Sequence, residues 1–350
     1  MIKFKRLLAI FLFVVMVTAC LAGCGQQTAS PTDEESPNEN VEPENVQPEK
    51  EIKVALLCSG PINDGGWNTD AYNGLMNVGK KYGWETAYTE NVIAADIPNV
   101  LRNYASNGFS LVFGNGYEYA EYMMEIGEEF PETCFFSICG VDGNGKNVGS
   151  GTFIWYELGY LTGTLAARIT ESGKVGFVGA METPGIAAEV RVFKDTVTSL
   201  LPEANVSVSY TGSWTDVAKG YEAANAMINS GVDVIMGIGD ACDAGAIQAC
   251  EESNGRCKFI GFASDFNHLS PEIVICSAVQ STPFMIEAVA DQFAKGEFVP
   301  EAVDYGIMNG ASYMGVWAED VDPAIKEEIL GLEEAIRNGT LVLDISKWES

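Results

Sequence analysis

The residues best suited to chemistry fall in one stretch, Lys53 to Leu75 (KVALLCSGPINDGGWNTDAYNGL), where an acid, an indole and a carboxamide follow one another as Asp64, Trp67 and Asn68. An indole face suits a flat heterocycle or the apolar face of a sugar. Asp64 and Asp70 together repel an anion, so the pattern favours a neutral or weakly cationic ligand. The alternative is that Trp67 plugs the core beneath the loop and Asp64 caps the following helix, a common duty for aspartate.

The elements that must hold these residues are legible around them. Val54 to Cys58 is a short apolar run stopped by Ser59-Gly60-Pro61, as a parallel strand covered on both faces requires. From Asn68 onward Ala71, Leu75 and Val78 recur at helical spacing, and Thr69 and Asp70 sit where a first turn favours them. A strand, loop and helix in this order put the loop at the carboxyl edge of a sheet, where open α/β folds bind ligands. Backbone N–H groups at the helix start can also bind acceptors.

The rest of the chain repeats the unit. Strands at Trp84–Glu90, Leu111–Phe113, Cys134–Ile138 and Gly151–Trp155 alternate with helices at Ile97–Tyr104 and Glu118–Phe130. A second series begins near Tyr156. The helix Glu157–Thr170 carries Gly159, Gly163, Ala166 and Ala167, small residues that allow close packing against a sheet. Strands follow at Lys174–Val178, Val206–Tyr210, Val232–Ile238 and Lys258–Phe262, with helices between them. Two βα series of similar size predict an α/β protein of two doubly wound parallel-sheet lobes. The segments around Ile273–Phe298, Tyr305–Met308 and Tyr313–Trp317 fit neither series and are read as the chain crossing between lobes, giving a multi-crossover hinge. The glycine-rich VDGNGKNVGSG joins strand to strand and is no nucleotide fingerprint.

Composition narrows the function. A formal charge of −29 disfavours nucleic acid, whose phosphates need a basic surface. The chain has one histidine, His268, and no GxSxG elbow, Walker loop or HExxH, so it is not read as an enzyme. No CxxC pair occurs, no metal is implied, and no cofactor is expected. Besides Cys20 and Cys24 the seven remaining cysteines are odd in number, so at least one thiol stays free.

The first residues read as an export signal: Lys3, Lys5 and Arg6, an apolar run from Leu7 to Val17, then Leu21-Ala22-Gly23-Cys24. The tetrapeptide matches the lipobox of bacterial lipoproteins, which implies cleavage before Cys24 and acylation of its sulfur. Residues 25–50 are rich in Pro, Glu, Asn, Gln, Ser and Thr and form a tether that cannot repay ordering entropy. No other segment approaches membrane-spanning length, which predicts a folded body anchored to the outer face of the cell membrane.

In order and spacing, INDGGWNTDAYNGL, ELGYLTGTLAA, GKVGFVGA, YTGSWTD, GVDVIMGIGDACDAGAIQA, FIGFASDFN, ICSAVQSTP and EEAIRNGTLVLD resemble the basic membrane protein family of bacterial lipoproteins. These are nucleoside-type substrate-binding proteins of ABC importers with the type I periplasmic-binding-protein fold. The resemblance implies a ring stacked on Trp67, with polar contacts from Asp64 and Asn68. Cleft positions follow from strand ends: Asn115 and Tyr117 in the first lobe, Glu182 and Arg191 in or beyond the first loop of the second, then Gly239, Asp240, Asp265 and Gln280. For Arg191 a solvated helix face is the alternative. Three positions depart from the family: Ala263 replaces an aspartate, Met236 stands near where nucleoside binders have an aromatic, and Gln280 replaces a lysine, matching sugar-binding relatives instead.

The expected organisation is a signal peptide over 1–23, a tether over 24–50, a first lobe of 51–154 plus 279–304, a second of 155–278 plus 305–325, and a C-terminal extension over 326–350. The expected role is capture of a small neutral ligand, a purine nucleoside or base, by a monomer that delivers it to an ABC permease. The alternatives are a sugar or other ring-bearing metabolite, or a surface sensor that presents ligand.

Overall fold

A computed structural model describes residues 51–348; the signal, the tether and Cys24 lie outside the described residues. The elements are β1 (Lys53–Cys58), α1 (Trp67–Tyr82), β2 (Glu85–Thr89), α2 (Ile97–Ser106), β3 (Leu111–Asn115), α3 (Ala120–Glu129), β4 (Cys134–Ile138) and β5 (Val148–Phe153). They continue with α4 (Trp155–Ile169), β6 (Lys174–Gly179), α5 (Pro184–Leu200), β7 (Asn205–Tyr210), α6 (Val217–Asn229), β8 (Val234–Ile238), α7 (Ala241–Glu252), β9 (Lys258–Ala263) and β10 (Val274–Gln280). The last are α8 (Thr282–Ala294), β11 (Ala302–Tyr305), β12 (Ser312–Met314) and α9 (Pro323–Arg337).

Two six-stranded sheets result, ordered β11-β5-β4-β3-β1-β2 and β12-β10-β9-β8-β6-β7. Central strands β3 and β8 are buried along their whole length, and β1 from Val54 onward, the mark of parallel strands with helices on both faces. Each sheet is lined by two apolar layers, for example Leu56, Phe113 and Ile286 on one face of the first and Leu57, Val112 and Met123 on the other. The pairing is parallel except for β12, which runs antiparallel to β10. β11 and β12 are short edge strands, one per sheet; of the segments that fitted neither series, the first does extend one, since β10 pairs parallel with β9 in the second sheet before the chain crosses into α8.

The chain passes between the sheets three times: from β5 into α4, from β10 into α8, which packs on α1, and from β11 to β12. Trp155, the first residue of α4, touches the cores of both sheets and stacks on Phe262 with ring centroids 6.3 Å apart. The small residues of α4 meet a helix, whereas the sequence suggested a sheet. A Cβ on Gly163 would stand 2.8 Å from the Phe193 carbonyl oxygen of α5, so glycine is what lets α4 and α5 approach. α9 packs on α4, and the indole nitrogen of Trp348 donates to Asp195 of α5 (3.0 Å), which pins the C-terminal segment there.

Candidate functional site

The β1–α1 loop is organised by one carboxylate. Oδ1 of Asp64 accepts from the amides of Gly66 and Thr69 and from the Thr69 hydroxyl; Oδ2 accepts from the amide and side chain of Asn68, all at 2.8–3.0 Å. Five donors fill a group with about four lone-pair sites. Asp64 thereby caps α1 and fixes the orientation of Asn68, which was one of the two readings open from sequence.

Asn68 passes that order on. Its Oδ1 accepts from Asn115 Nδ2 (3.1 Å), and Asn115 is buried at the end of β3, in register with Cys58. The Trp67 indole donates to the Asn115 carbonyl and Asn115 Nδ2 donates to the Trp67 carbonyl, both at 3.3 Å. Trp67 is half-buried and meets Phe153 edge to face at 6.2 Å. The indole is thus tied by its nitrogen and braced at its edge, and it packs against the core of the first sheet while staying half-exposed. Asn115 Oδ1 is buried with no partner among the described residues.

The second lobe meets this loop through Asp240, at the end of β8. Its carboxylate accepts from the Trp67 amide, and burial, then the charges of Asp64 and Asp70, push it up to about 7. A Cβ on Gly66 would stand 2.9 Å from Asp240 Oδ1, so glycine leaves the carboxylate room to approach. Asp240 has φ 49° and ψ −116°, a conformation side chains rarely adopt. The preceding Gly239 donates its amide to the buried Asp243 (2.9 Å), whose carboxyl burial raises well above its ordinary value. A second bridge joins α1 to the loop after β9, where the Ser264 hydroxyl donates to Asp70. Burial raises Asp70 as well.

Of the five non-glycine residues with positive φ among the described residues, Asn91, Cys139, Asp240 and Ala263 close the carboxyl ends of β2, β4, β8 and β9. Each costs about 1–3 kcal/mol, and such strain collects where function fixes the backbone. Two of the four, Asp240 and Ala263, stand at the strand ends whose loops reach α1.

A model of the family described as ABC transporter substrate-binding protein PnrA-like matches residues 51–341. The chain belongs to that family. Among its relatives, the transcriptional activator protein Med of Bacillus subtilis is 30% identical over 80% of this chain and 87% of its own. The nucleoside-binding protein BmpA of an ABC transporter in Lactococcus lactis is 26% identical over 97% of this chain and 99% of its own. Among solved structures, a transcriptional activator of the comK gene from Bacillus halodurans superposes with a TM-score of 0.73 at 26% identity, covering 83% of this chain and 100% of that one. As a PnrA-like protein the chain is a substrate-binding component of an ABC transporter and not an enzyme, and its family is extracytoplasmic. No helix among the described residues is long and apolar enough to cross a membrane.

Within this PnrA-like frame the structure brings Asp64, Trp67, Asn68 and Asn115 together and sets Asp240, with Gly239 behind it, against them. Asp265 is occupied structurally: it accepts from Val316 N (2.7 Å) and Asn267 N (3.1 Å), tying the β9 loop to the segment after β12. Gln280 ends β10 opposite Ser312, and the Gln280 amide and the Thr282 and Ser312 hydroxyls are all buried and unpartnered among the described residues. Tyr117, 63% exposed, opens the short 3₁₀ turn Tyr117–Tyr119 before α3, and Glu182 is exposed in the loop before α5. Arg191 lies exposed on α5 and donates to the Trp348 carbonyl (2.7 Å), so its guanidinium serves the C-terminal segment. Met236 lies within the core of the second sheet, so no residue there completes an aromatic sandwich. Sequence reasoning placed Thr69 in the first turn of α1 but missed its bonds to Asp64, the Phe153 contact and the Asp70–Ser264 bridge; the FASDFN motif contained Ser264, but nothing in it indicates a partner on α1.

Proposed function

We propose that the protein captures a purine nucleoside or base between its lobes and delivers it to an ABC permease. The observation that carries this is the Trp67 indole, fixed by Asn115 and braced on Phe153, with the amides of Asn68 and Asn115 beside it. A flat heterocycle gains stacking from the indole and can donate in its plane to Asn115 Oδ1, the carboxamide atom left without a partner among the described residues. The carboxylates Asp64, Asp70 and Asp240 oppose a phosphate, so a nucleoside is favoured over a nucleotide. The relative in Lactococcus named as a nucleoside-binding protein supports the same ligand class. The lobes, taken as 51–154 plus 279–304 and 155–278 plus 305–325, close on the ligand as bodies in a monomer anchored through acylated Cys24, with 326–350 riding on the second lobe.

A second reading, a sugar, has one observation in its favour: the unpartnered Gln280 amide with the Thr282 and Ser312 hydroxyls suits a hydroxylated ligand. Calorimetric titration with adenine, adenosine, inosine, ribose and glucose separates the two. Binding of base and nucleoside supports the first reading; binding of sugars alone supports the second.

A further inference from the structure

We infer that the cleft is held shut by a proton-linked latch, in which Asp70 engages Ser264 and Asp240 engages the Trp67 amide across the lobes. Both contacts join an element of the first sheet to a strand end of the second. Asp70 lies in the first turn of α1 and Ser264 follows β9; Trp67 begins α1 and Asp240 follows β8. Glycine at 66 permits the second contact, and the strained backbone at Asp240 aims its carboxylate at α1. These are hydrogen bonds that exist only while the lobes touch, so they are determinants of closure rather than of the fold of either lobe.

The groups facing them are acids. Asp240 feels Asp64 from the β1–α1 loop and Asp70 from α1, and it raises Asp243 of α7 in turn. Asp70 feels Asp64, while the phenol of Tyr313 on β12 feels both Asp70 and Asp265. Closing the cleft therefore crowds and desolvates carboxylates, with hydrogen bonds from Trp67 and Ser264 offsetting only part of the cost.

The sign follows from linkage. With the lobes together Asp240 sits at about 7; separating them removes its burial against α1 and the charges of Asp64 and Asp70, which moves it down toward the ordinary 3.8. Closure thus takes up a proton over that window and is opposed as pH rises through it. Asp70, also raised in the closed form, acts in the same direction. Acidic conditions favour capture and neutral to alkaline conditions favour release.

This latch presupposes the hinged closure proposed above, but ligand-free measurements test it without any assumption about what is bound. Small-angle scattering of the purified, ligand-free protein from pH 5.5 to 8 reads the ratio of compact to extended forms. We expect the ratio to fall by as much as about thirtyfold over that range, the limit set by a shift from about 7 to the ordinary aspartate value. Asp240→Asn, which mimics the protonated acid, should stay compact at pH 8. Ser264→Ala, which deletes one donor, should shift the ratio toward the extended form at every pH while keeping the pH response of Asp240. Scattering that is unchanged between pH 5.5 and 8 in the unaltered protein overturns the latch, as does an unaltered pH response in Asp240→Asn. If the Asn variant does not fold, the unaltered protein and Ser264→Ala decide the matter. Absence of nucleoside binding would remove the ligand reading and leave this result standing.

Discussion

Asp64 and Trp67 do different jobs although they sit three residues apart. Asp64 spends its carboxylate on its own loop, so Asp64→Ala should cost about 1–2 kcal/mol of stability, the scale of a lost helix cap, and weaken ligand binding by releasing Asn68. Chemical denaturation and titration of the variant read the two effects separately. Glu189 of α5 is fully buried with neither carboxylate oxygen partnered among the described residues, and burial raises it well above its ordinary value. A raised carboxyl is stabilising below the unfolded-state value, and that contribution is lost as pH rises toward the folded-state value. Glu189→Gln should therefore raise the melting temperature at pH 8 more than at pH 5; equal shifts would show that Glu189 does not titrate there. At this scale the sequence exposed the Asp64-Trp67-Asn68 constellation, since residue types alone suggest stacking and capping. It could not show that Arg191 serves Trp348, because that pairing depends on a tail returning 157 positions later.

The elements were legible where periodicity is strong. β1 and α1 emerge from a five-residue apolar run and a helical stripe, and the structure places them within a residue or so of that reading. β11 and β12 were not legible, because strands of four and three residues carry too few side chains for any period to show. The glycines of α4 gave a correct signal of close approach with the wrong partner, since a missing Cβ does not say what fills the space. Gly163→Val should force α4 from α5 and cost about 1–3 kcal/mol, measurable by denaturant unfolding. Gly66→Ala tests a different contact: its Cβ meets Asp240, so it should weaken ligand affinity while each lobe keeps its stability. A large drop in melting temperature for Gly66→Ala would place that contact in the fold instead of in closure.

For the whole molecule, the two-sheet architecture and the family were readable because the order of motifs along the chain repeats the order of strand ends in space. The cross-lobe bridges were not readable, because Asp70 and Ser264 are 194 positions apart and neither residue type announces a partner. The proposed function joins the Trp67 indole in one lobe to carboxylates that oppose anionic ligands, Asp64 and Asp70 beside it and Asp240 from the other lobe. Its most direct test is isothermal titration of adenosine into the unaltered protein and Trp67→Ala, with a melting curve for each. The account predicts saturable binding by the unaltered protein and affinity at least about tenfold weaker in the variant, the scale of one lost stacking contact, with a melting temperature lowered by only a few degrees. Undiminished adenosine binding by Trp67→Ala, or a variant that fails to fold, would contradict it and place the indole in the core.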